Sequence, residues 1–285
     1  MKFGVSMFFT DYSMAPGELG QALESRGYES VWAPEHSHIP VSRKSPFPAG
    51  GDLPKKYYDC MDPFVALAAA GAATKTLLLG TGICLIAQRD PIQTAKLVAS
   101  LDQISAGRFL FGIGNGWNQD EMENPGTAYA TRHKRARETV EAMKAIWTQD
   151  TAEYHGEFVD FGPMAAWPKP ARNPHPPVYV GGAFPWSARR AIRYGEGWLP
   201  QAARAGHYRQ IADMIPEFHR MAKEAGRDPA SIAITVWHAR RDPDLMKRYQ
   251  DLGVERVVFS IEPEAKDKVT ARIDAIAEVM HTIGN

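Results

Sequence analysis

Short apolar runs ending in glycine or small polar residues recur along the chain, and amphipathic stretches separate them. The clearest are Leu77-Leu-Leu-Gly-Thr-Gly-Ile-Cys84 and Arg108-Phe-Leu-Phe-Gly-Ile-Gly-Asn-Gly-Trp117, with a helical stretch from Pro91 to Ile104 between them. A segment apolar on both faces belongs to a parallel sheet covered by helices. Several runs follow a glycine at the end of a helical stretch: Gly27 before Tyr28, Gly107 before Arg108, Gly195 before Gly197 and Gly253 before Arg256. Glycine just past a helix takes the left-handed closing conformation at little cost. Eight strands are predicted, near residues 2–8, 29–33, 77–81, 108–113, 178–180, 197–199, 232–237 and 257–261. Eight alternating units over 285 residues predict an α/β protein, a (β/α)8 TIM barrel, with a doubly wound sheet as the alternative.

Helices fill the gaps. Leu19, Ala22 and Leu23 share one apolar face, and Thr139, Ala142, Met143, Ile146 and Trp147 make a helical stripe. Asp62-Pro63 has the form of a helix start, a capping carboxylate before a proline. Extended loops are expected after strands 2 and 4. Residues 34–61 carry Pro34, Pro40, Pro46, Pro48, Gly50, Gly51 and Pro54 with little periodicity. They leave the carboxyl end of strand 2, where barrel active sites lie, so they read as an active-site loop. Residues 150–177 read as a hairpin followed by a proline-rich strap. No linker divides the chain, and a single domain over 1–285 is expected.

Charge narrows the partners. There are 33 Lys and Arg against 33 Asp and Glu, a formal net charge of zero, so neither nucleic acid nor an anionic membrane surface is indicated. No apolar run approaches the roughly 18–20 residues of a membrane span. Two cysteines, Cys60 and Cys84, make no disulfide framework. The chain enters its first strand directly, without the pattern of a signal peptide, which predicts a cytoplasmic protein acting on a small molecule.

The expected strand ends carry few acids and bases and many glycine, apolar and aromatic residues. Such an inventory suits a flat fused-ring cofactor better than hydrolytic or metal chemistry. His36-Ser-His38 has the HxH form of a metal pair, yet no histidine ends strands 3 to 6, and no metal is expected. Gly181-Gly182-Ala183 opens a helix after strand 5, a setting whose free N–H groups suit a phosphate. Arg189 and Arg190 follow, either assisting there or facing solvent. Neither a GxGxxG after strand 1 nor a GxxxxGK[ST] is present.

In order along the chain, Glu29-Ser-Val-Trp-Ala-Pro-Glu-His36, Leu79-Gly-Thr-Gly-Ile83, Phe111-Gly-Ile-Gly-Asn-Gly-Trp-Asn118 with Glu121, Arg137–Trp147, Pro176–Gly182 and Gly195–Trp198 resemble the bacterial-luciferase-like superfamily of flavin and deazaflavin oxidoreductases. The branch it looks most like uses coenzyme F420. The resemblance implies a ring lying in the barrel mouth, a non-proline cis peptide at Gly82–Ile83, and a homodimer. It implies a catalytic His36 that also contacts the cofactor. It places Met7, Glu35, Thr81, Gly82, Ile83, Asn115 and Gly116 at the ring, and Gly181, Gly182 and Ala183 at the phosphate of its tail. Phe8, His38, Trp117 and Trp198 are expected to form the substrate pocket. Sugar-phosphate dehydrogenases of the superfamily carry an acid where this chain has Trp117 and a tryptophan where it has Pro40, so a less polar substrate is implied. An FMN-dependent monooxygenase and a non-catalytic barrel subunit stand as alternatives.

Overall fold

The computed structural model describes residues 1–201 and 210–284. Its elements run β1 (Lys2–Ser6), α1 (Pro16–Glu24), β2 (Ser30–Ala33), α2 (Pro63–Ala72), β3 (Leu78–Thr81), β4 (Cys84–Leu85), α3 (Pro91–Ile104), β5 (Phe109–Gly114), α4 (Gln119–Glu123), α5 (Arg132–Thr148), β6 (Ala152–His155), β7 (Asp160–Met164), β8 (Val178–Gly182), α6 (Trp186–Tyr194), β9 (Gly197–Pro200), α7 (Ile211–Glu224), β10 (Ala233–Trp237), α8 (Pro243–Asp251), β11 (Arg256–Ser260) and α9 (Lys266–Gly284). Strands β1, β2, β3, β5, β8, β9, β10 and β11 pair in parallel in that order, and β11 pairs with β1 to close the barrel. All eight coincide with the expected runs to within a residue or two. The extra pieces are the two-residue β4, which pairs with β5, and the antiparallel β6–β7 hairpin foreseen within residues 150–177.

Helix starts follow a repeated Asp-Pro rule. Asp62 accepts from the Phe64 and Val65 amides, Asp90 from Gln93, and Asp242 from Asp244 and Leu245, each with proline at the first helical position. Among the closing glycines, Gly27, Gly107 and Gly253 have the left-handed φ of 78°, 81° and 79°. Gly195 departs from the expectation: its φ is −99°. What excludes a side chain there is close approach to Val180 and to the Val178 carbonyl.

Two cores result. The larger fills the space between barrel and helices. The smaller lies inside the barrel, where Trp32, Leu110, Tyr179, Leu199, Trp237 and Val258 pack together. Trp32 meets Tyr179 and Trp237 edge-on, at 6.1 and 5.7 Å between centroids. Below them Arg256 is 1% exposed and pairs with Glu29, its Nε donating to Glu29 Oε2 at 2.6 Å. Large rings inside a narrow barrel need small neighbours. A Cβ on Gly80 would lie inside the Trp32 indole, and one on Gly82 inside Trp237. Both glycines make room for protein side chains, and Gly82, expected at the ring, also borders the cavity at the carboxyl ends of the strands.

Candidate active site

Above the inner core, at the carboxyl ends of the strands, opens a cavity of about 680 Å³. Alternation along the strands decides who reaches it. Ser6 and Phe8 face it, whereas Met7 between them is buried in the outer core. Leu199 faces it, whereas Trp198 points outward, stacks on Phe218 at 4.4 Å and donates its indole N–H to Ser187. Of the residues expected at ring, phosphate or pocket, the structure brings Phe8, Glu35, His36, Gly82, Ile83, Asn115, Gly116, Trp117, Gly181, Gly182 and Ala183 to the cavity. The expectation for Trp198 is corrected by that outward orientation, and the one for Met7 by its place in the core. Thr81 also stays in the wall, its hydroxyl donating to the Gly112 carbonyl at 2.7 Å. His38 lies outside the lining, bonded to Ser37 and Asn124, so the HxH pair diverges. Among the described residues no group of three or more His, Cys, Asp or Glu assembles a metal site.

His36 is the central polar group. Its Nδ1 lies 2.7 Å from Glu121 Oε2, and the two side chains are 6% and 1% exposed. A carboxylate accepts, so Nδ1 carries a proton and Nε2 is left for a ligand. Glu121 is held in turn by the Ser37 amide and Gln88, each 3.3 Å from Oε1. Aromatic rings enclose the imidazole: Tyr57 at 5.2 Å and Trp117 at 5.9 Å, with Phe47 against both and Phe8 against Tyr57. Tyr57, which lines the cavity, and Phe47, packed against Tyr57 and Trp117, come from the 34–61 loop, which is therefore a wall of the cavity. It is fastened to α4 by Ser42 and Lys44 on Asp120 and by Ser45 on the Gln119 amide. Burial pushes the Tyr57 phenol above its ordinary range, with help from Glu262 and Cys60, so it stays protonated.

Among the described residues lining the cavity, Glu35 is the one carboxylate. It is spent within the protein. Oε2 accepts from the Leu85 amide and Oε1 from Arg89 Nε, each at 2.7 Å, and Arg89 reaches on to Asp62 at the start of α2. Glu35 thereby ties the end of β2 to the segment after the Gly82–Ile83 peptide, which is cis, as the resemblance implies.

The opposite end of the cavity is cationic. Arg132 and His133 begin α5, Arg190 comes from α6, and Gly181 to Ala183 lead into α6. The Nε atoms of Arg132 and Arg190 and the Oδ1 of Asn115 are buried without a partner. Partial desolvation and the charges of Arg132 and Arg190 push the His133 imidazole down to about 4. Guanidinium N–H groups lacking acceptors, near one another and away from carboxylates, are groups prepared for an anion. Apolar walls at one end and anion donors at the other fit a flat ring with a phosphate-bearing tail. Sequence reasoning had left Arg190 undecided and overlooked Arg132, His133, Tyr57 and Phe47. The latter four sit in loops or at helix starts, where no strand pattern marks them.

A (β/α)8 barrel whose strand ends carry few acids, a buried histidine and a cationic end fits the class of barrel oxidoreductases that use a cofactor. The comparisons make this specific: residues 1–250 match the family model described as luciferase-like monooxygenase, and the chain belongs to that family. It is 38% identical over 287 residues to an uncharacterized protein of Mycobacterium tuberculosis (strain ATCC 25618 / H37Rv), covering 97% of this chain and 98% of that one. It is 30% identical to the F420-dependent hydroxymycolic acid dehydrogenase of the same organism, over 74% of this chain and 54% of that protein. Against the FMNH(2)-dependent dimethylsulfone monooxygenase of Pseudomonas putida it is 35% identical, over 62% of this chain and 47% of that one. Among solved structures, monooxygenase RslO1 from Streptomyces bottropensis superposes with a TM-score of 0.78 at 21% identity, over all of both chains. An F420-dependent secondary alcohol dehydrogenase superposes with 0.75 at 18% identity, over 99% of this chain and 98% of that one.

Proposed function

We propose that this protein is an oxidoreductase that transfers a hydride between coenzyme F420 and a small, rather apolar organic substrate bearing one hydroxyl or carbonyl group. The observation that carries the reading is the buried His36–Glu121 couple facing a cavity with aromatic walls. Gly82, Ile83, Asn115 and Gly116 would border the ring, while Gly181, Gly182 and Ala183, with Arg132 and Arg190, would hold the phosphate. When bound, the deazaflavin supplies a two-electron hydride carrier. Oxidising an alcohol removes a hydride from carbon and a proton from oxygen, and His36 Nε2 is the group available for that proton. Glu121 keeps Nδ1 protonated and stabilises the imidazolium that forms. In the reducing direction the same proton returns to the carbonyl oxygen.

Phe8, Tyr57, Phe47 and Trp117 exclude water from His36 and favour a neutral, apolar substrate. Lys56, which lines the cavity, is taken by Glu262 at 2.7 Å. The chain reads as one domain over residues 1–285, because closure needs β1 against β11, and as a homodimer by family resemblance. The FMN reading has support of its own in the FMNH(2)-dependent relative.

Titration with F420 and separately with FMN, followed by tryptophan fluorescence, tests the reading. Trp117, Trp186 and Trp237 line the cavity and supply the signal. Micromolar or tighter binding of F420 with weaker FMN is the expected result. The reverse order would transfer the site to FMN chemistry, and failure of both would overturn the cofactor assignment.

A further inference from the structure

The cationic end of the cavity contains an arrangement that the binding of a tail phosphate does not by itself explain. Asn115, at the end of β5, is 7% exposed. Its Nδ2 lies 2.8 Å from His133 Nδ1, and Arg190 Nη1 approaches the same nitrogen at 3.4 Å. Both neighbours are donors, so Nδ1 holds a lone pair and the imidazole is neutral, with its proton on Nε2. The other half of the amide, Oδ1, is buried and has no partner. A buried amide that uses its donor and strands its acceptor is in one of two orientations, and the second has an evident use. If His133 were protonated, Nδ1–H would need an acceptor where it now meets two donors. Rotating the Asn115 amide by half a turn would supply Oδ1 at that place.

The surroundings decide which orientation holds. Among the described residues, the charged groups facing His133 are Arg132 on its own helix and Arg190 on α6, both positive. The phenols near the two arginines are Tyr129, under the Arg132 guanidinium at 3.6 Å, and Tyr194, whose pKa is raised to about 12 by burial and which is therefore neutral. No carboxylate lies among the described cavity residues at this end. Without an anion, a third positive charge here is disfavoured. With an anion between the two guanidinium groups, it becomes favourable.

We propose that Asn115 and His133 form a proton-coupled latch for a phosphate ester: as the anion settles against Arg132 and Arg190, His133 takes up one proton from solvent, donates from Nε2 to the anion, and the Asn115 amide turns to accept from Nδ1. The inference rests on the cofactor reading above and adds to it a pH dependence of binding. The bound state holds one proton more than the free state. Affinity therefore rises as pH falls, by up to about tenfold per pH unit, between the bound value of His133 and its free value. The phosphodiester of F420 has no proton to exchange in this range, and exchange by the other ionisable groups of the cofactor is common to wild type and a His133 variant, so the difference between the two reports on His133.

Calorimetric titration of the full chain with F420 at pH 6, in buffers of different ionisation enthalpy, measures the protons taken up. Nitrogen-15 spectra of labelled histidine read the state of His133 directly. Wild type is expected to take up close to one proton more than His133→Gln, with both His133 nitrogens protonated after saturation. His133→Gln should also bind F420 more weakly. Asn115→Asp should hold His133 protonated before any ligand arrives and so match the uptake of His133→Gln, with the fold of each variant checked by circular dichroism. Equal uptake by wild type and His133→Gln, or His133 nitrogens unchanged on saturation, would overturn the latch and leave the cofactor reading standing. Failure of both F420 and FMN to bind would overturn the cofactor reading and the latch together.

Discussion

His36 Nδ1 and Glu121 Oε2 lie 2.7 Å apart across 85 residues of chain, one at the end of β2 and the other in α4. The pair sets the tautomer of a buried histidine that borders the apolar end of the cavity. His36→Asn is expected to lower turnover by about 10²–10⁴-fold, the usual worth of a placed acid–base group, with little change in cofactor affinity. Glu121→Gln preserves volume but lets Nδ1 lose its proton, and should lower turnover by about tenfold or more while displacing the pH–rate profile. An unmoved profile would show that the carboxylate has a structural role alone.

The Glu35–Arg89 pair predicts a different kind of damage. Arg89→Met would leave a carboxylate that is 3% exposed without its cation while Leu85 N still binds it. Breaking a buried pair from one side costs about 3–5 kcal/mol, and the 18% exposure of Arg89 puts this case at the lower end. Urea unfolding should show that loss. F420 affinity should fall with it, because the segment carrying Ile83 and Leu85 loses its tie to β2.

Inside the barrel, Gly80→Ala should destabilise by about 1–3 kcal/mol through overpacking against Trp32. Thermal unfolding would register the loss, together with a change in near-ultraviolet circular dichroism from the Trp32, Tyr179 and Trp237 cluster.

Glu24 governs part of the acid limit of stability. Burial raises its pKa, but the amides of Thr76, Leu77 and Lys75 and the Thr76 hydroxyl outweigh it and hold the carboxyl at about 2. A depressed carboxyl contributes its full stability above its ordinary value near 4.5 and loses it as pH falls towards 2. Glu24→Gln should cost about 1–2 kcal/mol at pH 7, after allowance for solvent screening, and should flatten the fall in stability between pH 4.5 and 2. Equal acid sensitivity in both proteins would refute this.

Residues near in sequence were legible from it. Apolar runs of four to six residues bounded by glycine gave the barrel strands, because a parallel strand buried on both faces needs that pattern and nothing distant to produce it. Asp62-Pro63 marked a helix start for the same local reason. His36 and the Gly181–Ala183 turn were expected at the barrel mouth from the strand ends and the family resemblance, and they line the cavity there. The sequence could not tell which neighbour on a strand faces inward: Met7 and Trp198 were assigned to the site, and Ser6 and Leu199 occupy the inward positions. Nor did it mark Gly80 and Gly82 as space for Trp32 and Trp237, since the indoles that exclude a side chain come from other strands. The pairing of His36 with Glu121 and the gathering of Arg132, His133 and Arg190 likewise waited on the fold. Composition and periodicity determine what a segment becomes. Partnership between charges, and the choice of a tautomer, depend on distances of a few ångströms between residues far apart in the chain, which barrel closure alone decides.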